Sequence, residues 1–205
     1  MDHTAPMDHA NAAQPEAQWY GGRVRLQAGD ITQVSVDVVV NAANSALAGG
    51  GGVDGAIHAA AGPTVMAELR RHYDGCPTGS AVITGGGELP ARWIIHAVGP
   101  IWRGGGHDEA TLLGSAYASA LDRADEAGAH SVAFPAISCG VYAYPLDAAA
   151  DVALSSVRAW LSTHPASPVE DIIFVLRGTT VMAAFRGALQ RQPSDDLPPA
   201  QRETW

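Results

Sequence analysis

Val38-Val39-Val40-Asn41-Ala42-Ala43-Asn44 passes from an apolar triplet into two asparagines, and a few residues later Gly49-Gly50-Gly51-Gly52 leads straight into Val53-Asp54-Gly55-Ala56-Ile57-His58. Three consecutive β-branched residues show no alternation, so a strand over Val38–Asn41 is apolar on both faces, as in a sheet covered by helices on two sides. The helix that follows is predicted over Val53–Ala61. Strand, glycines, helix is an order that makes an anion site. Glycines without Cβ let the backbone approach a pyrophosphate, and the free N–H groups and positive dipole end of the helix favour its charge. A glycine run alone also fits a mobile turn. The spacing is neither G-x-G-x-x-G nor Walker A and no Lys-Ser/Thr follows, so hydride transfer to a dinucleotide and ATP hydrolysis lose support.

Working outward, short β-branched runs alternate with longer Ala-rich segments of helical period. Further strands are expected at Val24–Leu26, Ala81–Thr84, Trp93–Ala97, Val132–Phe134 and Ile172–Leu176, and further helices at Thr64–His72, Glu109–Ala127, Leu146–Leu161 and Thr179–Gln190. Ile172-Ile173-Phe174-Val175 is again apolar on both faces. The fold class that follows is α/β, a three-layer α/β/α sandwich. In such sheets ligands bind beyond the carboxyl ends of the strands, which directs attention to the loops leaving those ends.

The chain has 205 residues, room for one core. Residues 1–18 read as a flexible extension, 19–192 as the domain and 193–205 as a Pro-rich acidic tail. The extension holds Met1-Asp2-His3 and Met7-Asp8-His9, read as incidental histidines in a solvated tail. A formal net charge of -9, from 12 Lys plus Arg against 21 Asp plus Glu, disfavours nucleic acid as a partner. Two distant cysteines, Cys76 and Cys139, suggest neither a disulfide framework nor a thiolate metal site. His58, His72, His96 and His107 lack metal-ligand spacing, so no metal and no cofactor is expected. No apolar run approaches ~20 residues and no signal-peptide order is present, so a cytoplasmic protein without a membrane partner is expected, as a monomer.

The glycines are surrounded by a polar set: Asn41 and Asn44 before them, Asp54 just after, and His58 on the same helix face as Asp54. Taken singly, Asp54 also reads as a helix-start charge and His58 as a packing residue. Together with Gly29-Asp30-Ile31-Thr32, Leu89-Pro90-Ala91, Ile95-His96-Ala97-Val98-Gly99-Pro100 and Phe134-Pro135-Ala136-Ile137-Ser138-Cys139-Gly140-Val141-Tyr142-Ala143-Tyr144-Pro145, this sequence resembles the macrodomain family, specifically the MacroD type of ADP-ribosyl hydrolase. The similarity runs from about Arg23 to Phe185.

The resemblance implies a central mixed sheet and a cleft for ADP-ribose between two loops. It implies that Asp30, with the Ile31 backbone beside it, receives the adenine amino group, and that Gly49, Gly50, Gly51, Gly52 and Val53 wrap the diphosphate and distal ribose. Asn41 joins the ligand-binding set. Asn44 holds a hydroxyl of the distal ribose, an orienting role. Ser138, Cys139, Gly140, Val141 and Tyr142 cover the diphosphate from the other side. Cys139 stands where the family carries Thr or Ser, and it contributes a backbone amide there; nothing in the sequence marks it as a nucleophile. Where relatives place an aromatic residue against the adenine this chain has Arg177, whose planar guanidinium can stack on a base. The implied activity is hydrolysis of mono-ADP-ribose from modified Asp and Glu side chains, with deacetylation of O-acetyl-ADP-ribose at the same site. Asp54, or a diphosphate oxygen assisted by it, activates the water. The partners are then ADP-ribose and ADP-ribosylated proteins. The alternative is a reader that binds ADP-ribose without turnover.

Overall fold

The computed structural model describes residues 17–193. The two Met-Asp-His words with His3 and His9, and the tail from residue 194, lie outside the described residues.

Seven strands form one sheet: β1 (Ala17–Trp19), β2 (Val24–Ala28), β3 (Val36–Ala42), β4 (Ala81–Gly85), β5 (Ala91–Ala97), β6 (Ser131–Phe134) and β7 (Asp171–Leu176). Five α-helices cover it: α1 (Gly52–Ala61), α2 (Pro63–His72), α3 (Glu109–Glu126), α4 (Leu146–Thr163) and α5 (Thr179–Arg191). The spatial order is β1-β2-β7-β6-β3-β5-β4. The five central strands are parallel, and the edge strands β1 and β4 run antiparallel to their neighbours, so the sheet is mixed.

Burial on both faces explains the unbroken apolar runs. Val38 and Val40 of β3 join one core with Phe134, Phe174 and the inner faces of α3, α4 and α5, including Leu113, Tyr117, Ala153 and Phe185. Val39, between them, points the other way into a core with Ile94, Ala133, Ile173 and the α1 and α2 residues Ile57, Ala61 and Val65. The period of two along each strand thus feeds both layers, and a three-layer α/β/α sandwich results.

Helix boundaries follow local chemistry. Gly62 at φ 77 separates α1 from α2, Pro63 opens α2 with a fixed φ, and Arg70, Arg71 and His72 sit at its negative end. Two elements are absent from the sequence reading. One is a single 3-10 turn, Ile31–Gln33, too short to carry a period. The other is β1, which begins at Ala17, inside the stretch read as extension. It pairs Trp19 with Val24, and Trp19 and Tyr20 bury their rings against the larger core.

Because β2, β7, β6, β3 and β5 all point one way, the loops leaving them gather at one end of the molecule. They are Gly29-Asp30, the turn at Arg177, the stretch from Pro135 to Tyr142, the stretch from Ala43 to Gly51, and Val98-Gly99-Pro100.

Candidate active site

The β3 and β6 loops face each other across a cleft lined by Asn44, Gly50, Gly51, Gly52, Val53 and Asp54 on one side and Ser138, Gly140, Val141 and Tyr142 on the other. Gly99, at the end of β5, belongs to its floor. The cleft encloses about 640 Å³ measured out to its open mouth, within the usual range for small-molecule sites.

The first wall is backbone. Gly52 has φ 62, a left-handed conformation that lets the loop turn directly into α1. Gly55 is required for a different reason: a Cβ there would lie 2.6 Å from the Gly50 carbonyl oxygen, so its absence lets the loop fold back on the helix. No side chain caps α1 at Gly51. The amides of Gly50, Gly51, Gly52 and Val53 donate to no described residue. A helix N-terminus with uncommitted donors has the polarity to receive an anion. Asn44 braces this loop, donating from Nδ2 to the Gly49 carbonyl at 2.9 Å and accepting at Oδ1 from the Ala48 amide at 3.2 Å.

The second wall is held from below by Tyr117 of α3, whose hydroxyl accepts from the Ile137 amide at 3.1 Å and donates to the Pro135 carbonyl. Ser138 adopts φ 66, unusual for a residue with a Cβ, and its buried hydroxyl has no partner among the described residues. The amides of Gly140, Val141 and Tyr142 are likewise uncommitted. The cleft therefore presents free N–H donors from both sides.

Asp54 lies at the base of the first wall, only 6% exposed. Its Oδ1 accepts from Asn41 Nδ2 at 2.6 Å and lies 3.4 Å from His58 Nε2, one helical turn on. Its Oδ2 is buried without a partner among the described residues, on the Gly50 side, 3.2 Å from where a Cβ on Gly50 would stand. Burial pushes the Asp54 carboxyl upward, but the hydrogen bonds from His58 and Asn41 outweigh it, and the group is held below its ordinary value. It is ionised at neutral pH.

Behind Asp54 a polar row crosses three strands. Asn41 Nδ2 lies 3.2 Å from His96 Nδ1, and His96 Nε2 lies 3.0 Å from Thr84 Oγ1. Asn41 and His96 are completely buried and Thr84 nearly so. Burial, followed by the nearby His58, lowers the His96 imidazole from 6.5 to about 3, so it is neutral. The rings of His58 and His96 stack with centroids 5.7 Å apart.

The remaining sequence candidates separate into three groups. Asn41 is not on the cleft surface: the sheet places it, fully buried, on the α1 side of β3, where it touches Asp54. Cys139 also fails to line the cleft. Its side chain packs on the main core, its amide donates to the Ala136 carbonyl, and burial pushes its thiol up to about 12. Gly49 stands just outside the lining, with φ 78, as the carbonyl that Asn44 holds. Asp30, Ile31 and Arg177 form a separate cluster where β2 and β7 end. Asp30 Oδ1 caps the 3-10 turn through the Thr32 amide and hydroxyl, at 2.9 and 2.8 Å. These bonds and the nearby Arg177 charge lower its carboxyl.

His96 and Thr84 are the residues whose place the sequence reading missed. The available signal was parity. Ile94 and His96 share a face of β5 just as Val39 and Asn41 share a face of β3, so two polar residues occupy positions that should face the inner core.

Comparison with known proteins bears on this arrangement. The family model described as Macro domain matches residues 40–153. An O-acetyl-ADP-ribose deacetylase of Citrobacter koseri is 54% identical over 173 residues, which cover 83% of this chain and 97% of the relative. The Oceanobacillus iheyensis macrodomain with ADP superposes with a TM-score of 0.75 at 39% identity, covering 82% of this chain and 90% of that one. A Trypanosoma brucei macrodomain in complex with ADP-ribose gives 0.75 at 36% identity, covering 81% and 68%. With the motif order, the fold and these relatives in agreement, the chain belongs to the macrodomain family.

Proposed function

We propose that the cleft binds ADP-ribose and hydrolyses esters on its distal ribose, with O-acetyl-ADP-ribose and mono-ADP-ribosylated Asp or Glu side chains of proteins as the two substrate classes. The observation that carries this reading is Asp54 Oδ2. A buried carboxylate oxygen with no partner is costly, on the order of 1–3 kcal/mol, unless something absent from the free protein satisfies it. It sits where two loops of free amides would hold a diphosphate, so a water or sugar hydroxyl beside that diphosphate is its natural partner. The similarity to a deacetylase and to macrodomains solved with ADP and ADP-ribose supports the same reading.

The sheet supplies a ruler for the ligand. Asp30 and Arg177 stand at the β2–β7 edge of the strand ends and Asp54 beside β3, about three strand spacings or roughly 14 Å away. That is the order of reach of a nucleoside diphosphate. Adenine then sits against Asp30, the Ile31 amide and Arg177, and the distal ribose reaches Asn44 and Asp54.

For a carboxylate ester at the anomeric carbon, a water oxygen bonds to that carbon as its bond to the carboxylate oxygen breaks. The carboxylate leaves with the bonding pair, and the water proton passes to Asp54 Oδ2 or to a diphosphate oxygen beside it. An acetyl ester is cleaved when water attacks the acyl carbon and the bond from that carbon to the ribose oxygen breaks; the ribose oxygen leaves with the bonding pair and takes up the proton removed from the water, giving acetate and the free ribose hydroxyl. A carboxylate held below its ordinary pKa is a weak base, so orientation of water and ribose supplies much of the rate. At the anomeric ester the carboxylate is a good leaving group and needs no strong general acid, whereas the ribose oxygen of the acetyl ester relies on the returned proton.

The test is to incubate the protein with O-acetyl-ADP-ribose and, separately, with a glutamate-mono-ADP-ribosylated peptide, and to measure acetate and ADP-ribose released. Release from both is expected. Tight ADP-ribose binding by calorimetry without release from either would make the protein a reader.

A further inference from the structure

Hydrogen-bond polarity can be followed along the row behind Asp54, because each member has few ways to pair. Asp54 Oδ1 is an ionised acceptor, so the Asn41 group 2.6 Å away is its NH2. The same nitrogen lies 3.2 Å from His96 Nδ1, and it has a second proton to give. His96 Nδ1 therefore accepts, and in a neutral imidazole Nε2 then carries the proton. That proton meets Thr84 Oγ1 at 3.0 Å, and the Thr84 hydroxyl hydrogen passes on to the Gly85 carbonyl at 3.1 Å. Only this arrangement pairs a donor with an acceptor at each of the four contacts, and it leaves Asn41 Oδ1 and Asp54 Oδ2 without a partner among the described residues. Donation diverges from the Asn41 amide: one proton goes to Asp54, and the other three bonds run in one direction back to the β4 backbone.

The alternative arrangement is unfavourable at the carboxylate. If His96 carried its proton on Nδ1, the Asn41 amide would have to turn its oxygen to the ring, or present two donors to each other. The turned amide still faces the ring and Asp54 with one polar atom in this tight corner, and that atom would then be an oxygen against Oδ1.

We propose that His96 and Thr84 are positioning residues of the reaction: they lock the Asn41 amide nitrogen-first against Oδ1 of Asp54 and so leave Oδ2 as the oxygen turned to substrate water. The inference rests on the hydrolytic reading of the cleft. His96 touches neither the cleft nor any ligand; it is completely buried and contributes no lining. Its effect travels through Asn41. The titratable groups facing Asp54 are His58 from its own helix and His96 from β5. Thr84 and Asn41, from β4 and β3, complete the surroundings of the ring.

Two measurements test this. Long-range proton–nitrogen spectra of histidine-labelled wild type report the tautomer directly, and His96 is expected as the neutral Nε2–H form at pH 7. An Nδ1–H or doubly protonated ring overturns the inference, whatever the activity. The second measurement compares wild type with His96→Leu, His96→Asn and Thr84→Val on O-acetyl-ADP-ribose. Asparagine places its side-chain oxygen where Nδ1 stood and keeps the acceptor that Asn41 needs, whereas leucine removes it. The expected result is a kcat about tenfold or more lower for His96→Leu, recovered to within about threefold by His96→Asn, with KM and the ADP-ribose Kd unchanged within about twofold. Thr84→Val is expected between them. Folded His96→Leu with wild-type kcat overturns the proposal. So does parallel loss of kcat and ADP-ribose affinity, which would mark a purely structural role. Absence of turnover by wild type is a separate outcome that removes the hydrolytic reading itself, and the inference with it.

Discussion

Asn41 and Asp54, thirteen residues apart in sequence, meet at 2.6 Å in a corner closed to solvent, and the glycine loop between them is the segment that lines the cleft. The contact fastens the last turn of β3 to the first turn of α1. It thereby fixes both ends of the loop whose free amides line the cleft, and it satisfies one carboxylate oxygen while the other, also buried, has no partner among the described residues. One hydrogen bond thus links the rigidity of the glycine loop to the orientation of the acid beside it.

Replacing Asp54 by Asn keeps the shape of that corner and removes the charge. With the unpartnered oxygen unable to accept a proton, turnover of O-acetyl-ADP-ribose is expected to fall by a factor of about 10² to 10⁴. ADP-ribose affinity, carried by the loop amides, is expected to change by only a few-fold. Steady-state kinetics beside calorimetry check this. Retained turnover would place the proton acceptor on the substrate's own diphosphate.

Asn44→Ala removes the side chain that holds the Gly49 carbonyl and the Ala48 amide. The loop then keeps its glycines but loses its brace, so both binding and turnover are expected to weaken. Each lost hydrogen bond is worth about 1 kcal/mol, which corresponds to roughly a thirtyfold effect for the pair. Faster hydrogen exchange at Ala48 and Gly49 in the free protein would attribute the effect to the loop. Unchanged exchange with slower turnover would assign Asn44 to the ribose alone.

How far these residues were legible depends on the range of the signal. Val38-Val39-Val40 and the alternation of elements disclose a doubly covered sheet because burial on two faces leaves no polar position in a strand. The glycine loop is legible because backbone approach needs glycine whatever the rest of the fold. Asn41 was legible as a polar residue at the site but not as a buried one, since its distance from the cleft depends on which face of β3 it occupies and what α1 brings against it. Cys139 was likewise placed correctly in the second loop, while the turn that consumes its amide cannot be seen locally. The row through His96 and Thr84 draws one residue from each of three strands, and pairing across a sheet is a long-range property. β1 escaped because three residues cannot show a period.

Cys139 stands next to the free amides of the second loop, yet a thiol pushed up to about 12 by burial is protonated at pH 8 and is neither a nucleophile nor readily alkylated. Its Sγ donates weakly to the Ile137 carbonyl at 3.5 Å, a contact that a serine hydroxyl can replace. Cys139→Ser is therefore expected to keep turnover within about threefold, since such exchanges remove no group that touches the reacting atoms. Iodoacetamide at pH 8 is expected to leave Cys139 largely unmodified, as read by intact mass and peptide mapping. Rapid modification accompanied by inactivation that is absent from the serine variant would contradict both statements.

His96 also links the site to acid stability. Its pKa falls from 6.5 to about 3 on folding, so between those values the unfolded chain takes up a proton at this position and the native protein does not. The contribution of a neutral His96 is therefore complete above about pH 6.5 and is lost progressively as pH falls toward 3. Between pH 7 and pH 4.5 this amounts to roughly 3 kcal/mol, taking 1.36 kcal/mol per unit. Asp54 acts in a lower window. Its carboxyl is lowered by folding, so its contribution is present above the ordinary carboxylate value of about 4 and is lost only as pH falls through the still lower folded value. Urea unfolding of wild type and His96→Asn at pH 7 and pH 4.5 separates the two. The variant lacks the imidazole and is expected to lose less stability between those pH values, by a margin on the order of 2–3 kcal/mol. Parallel losses would mean that His96 takes up its proton within the native fold above pH 4.5. The charged ring would then have to turn a donor toward Asn41, and the orientation of Asp54 would change with it.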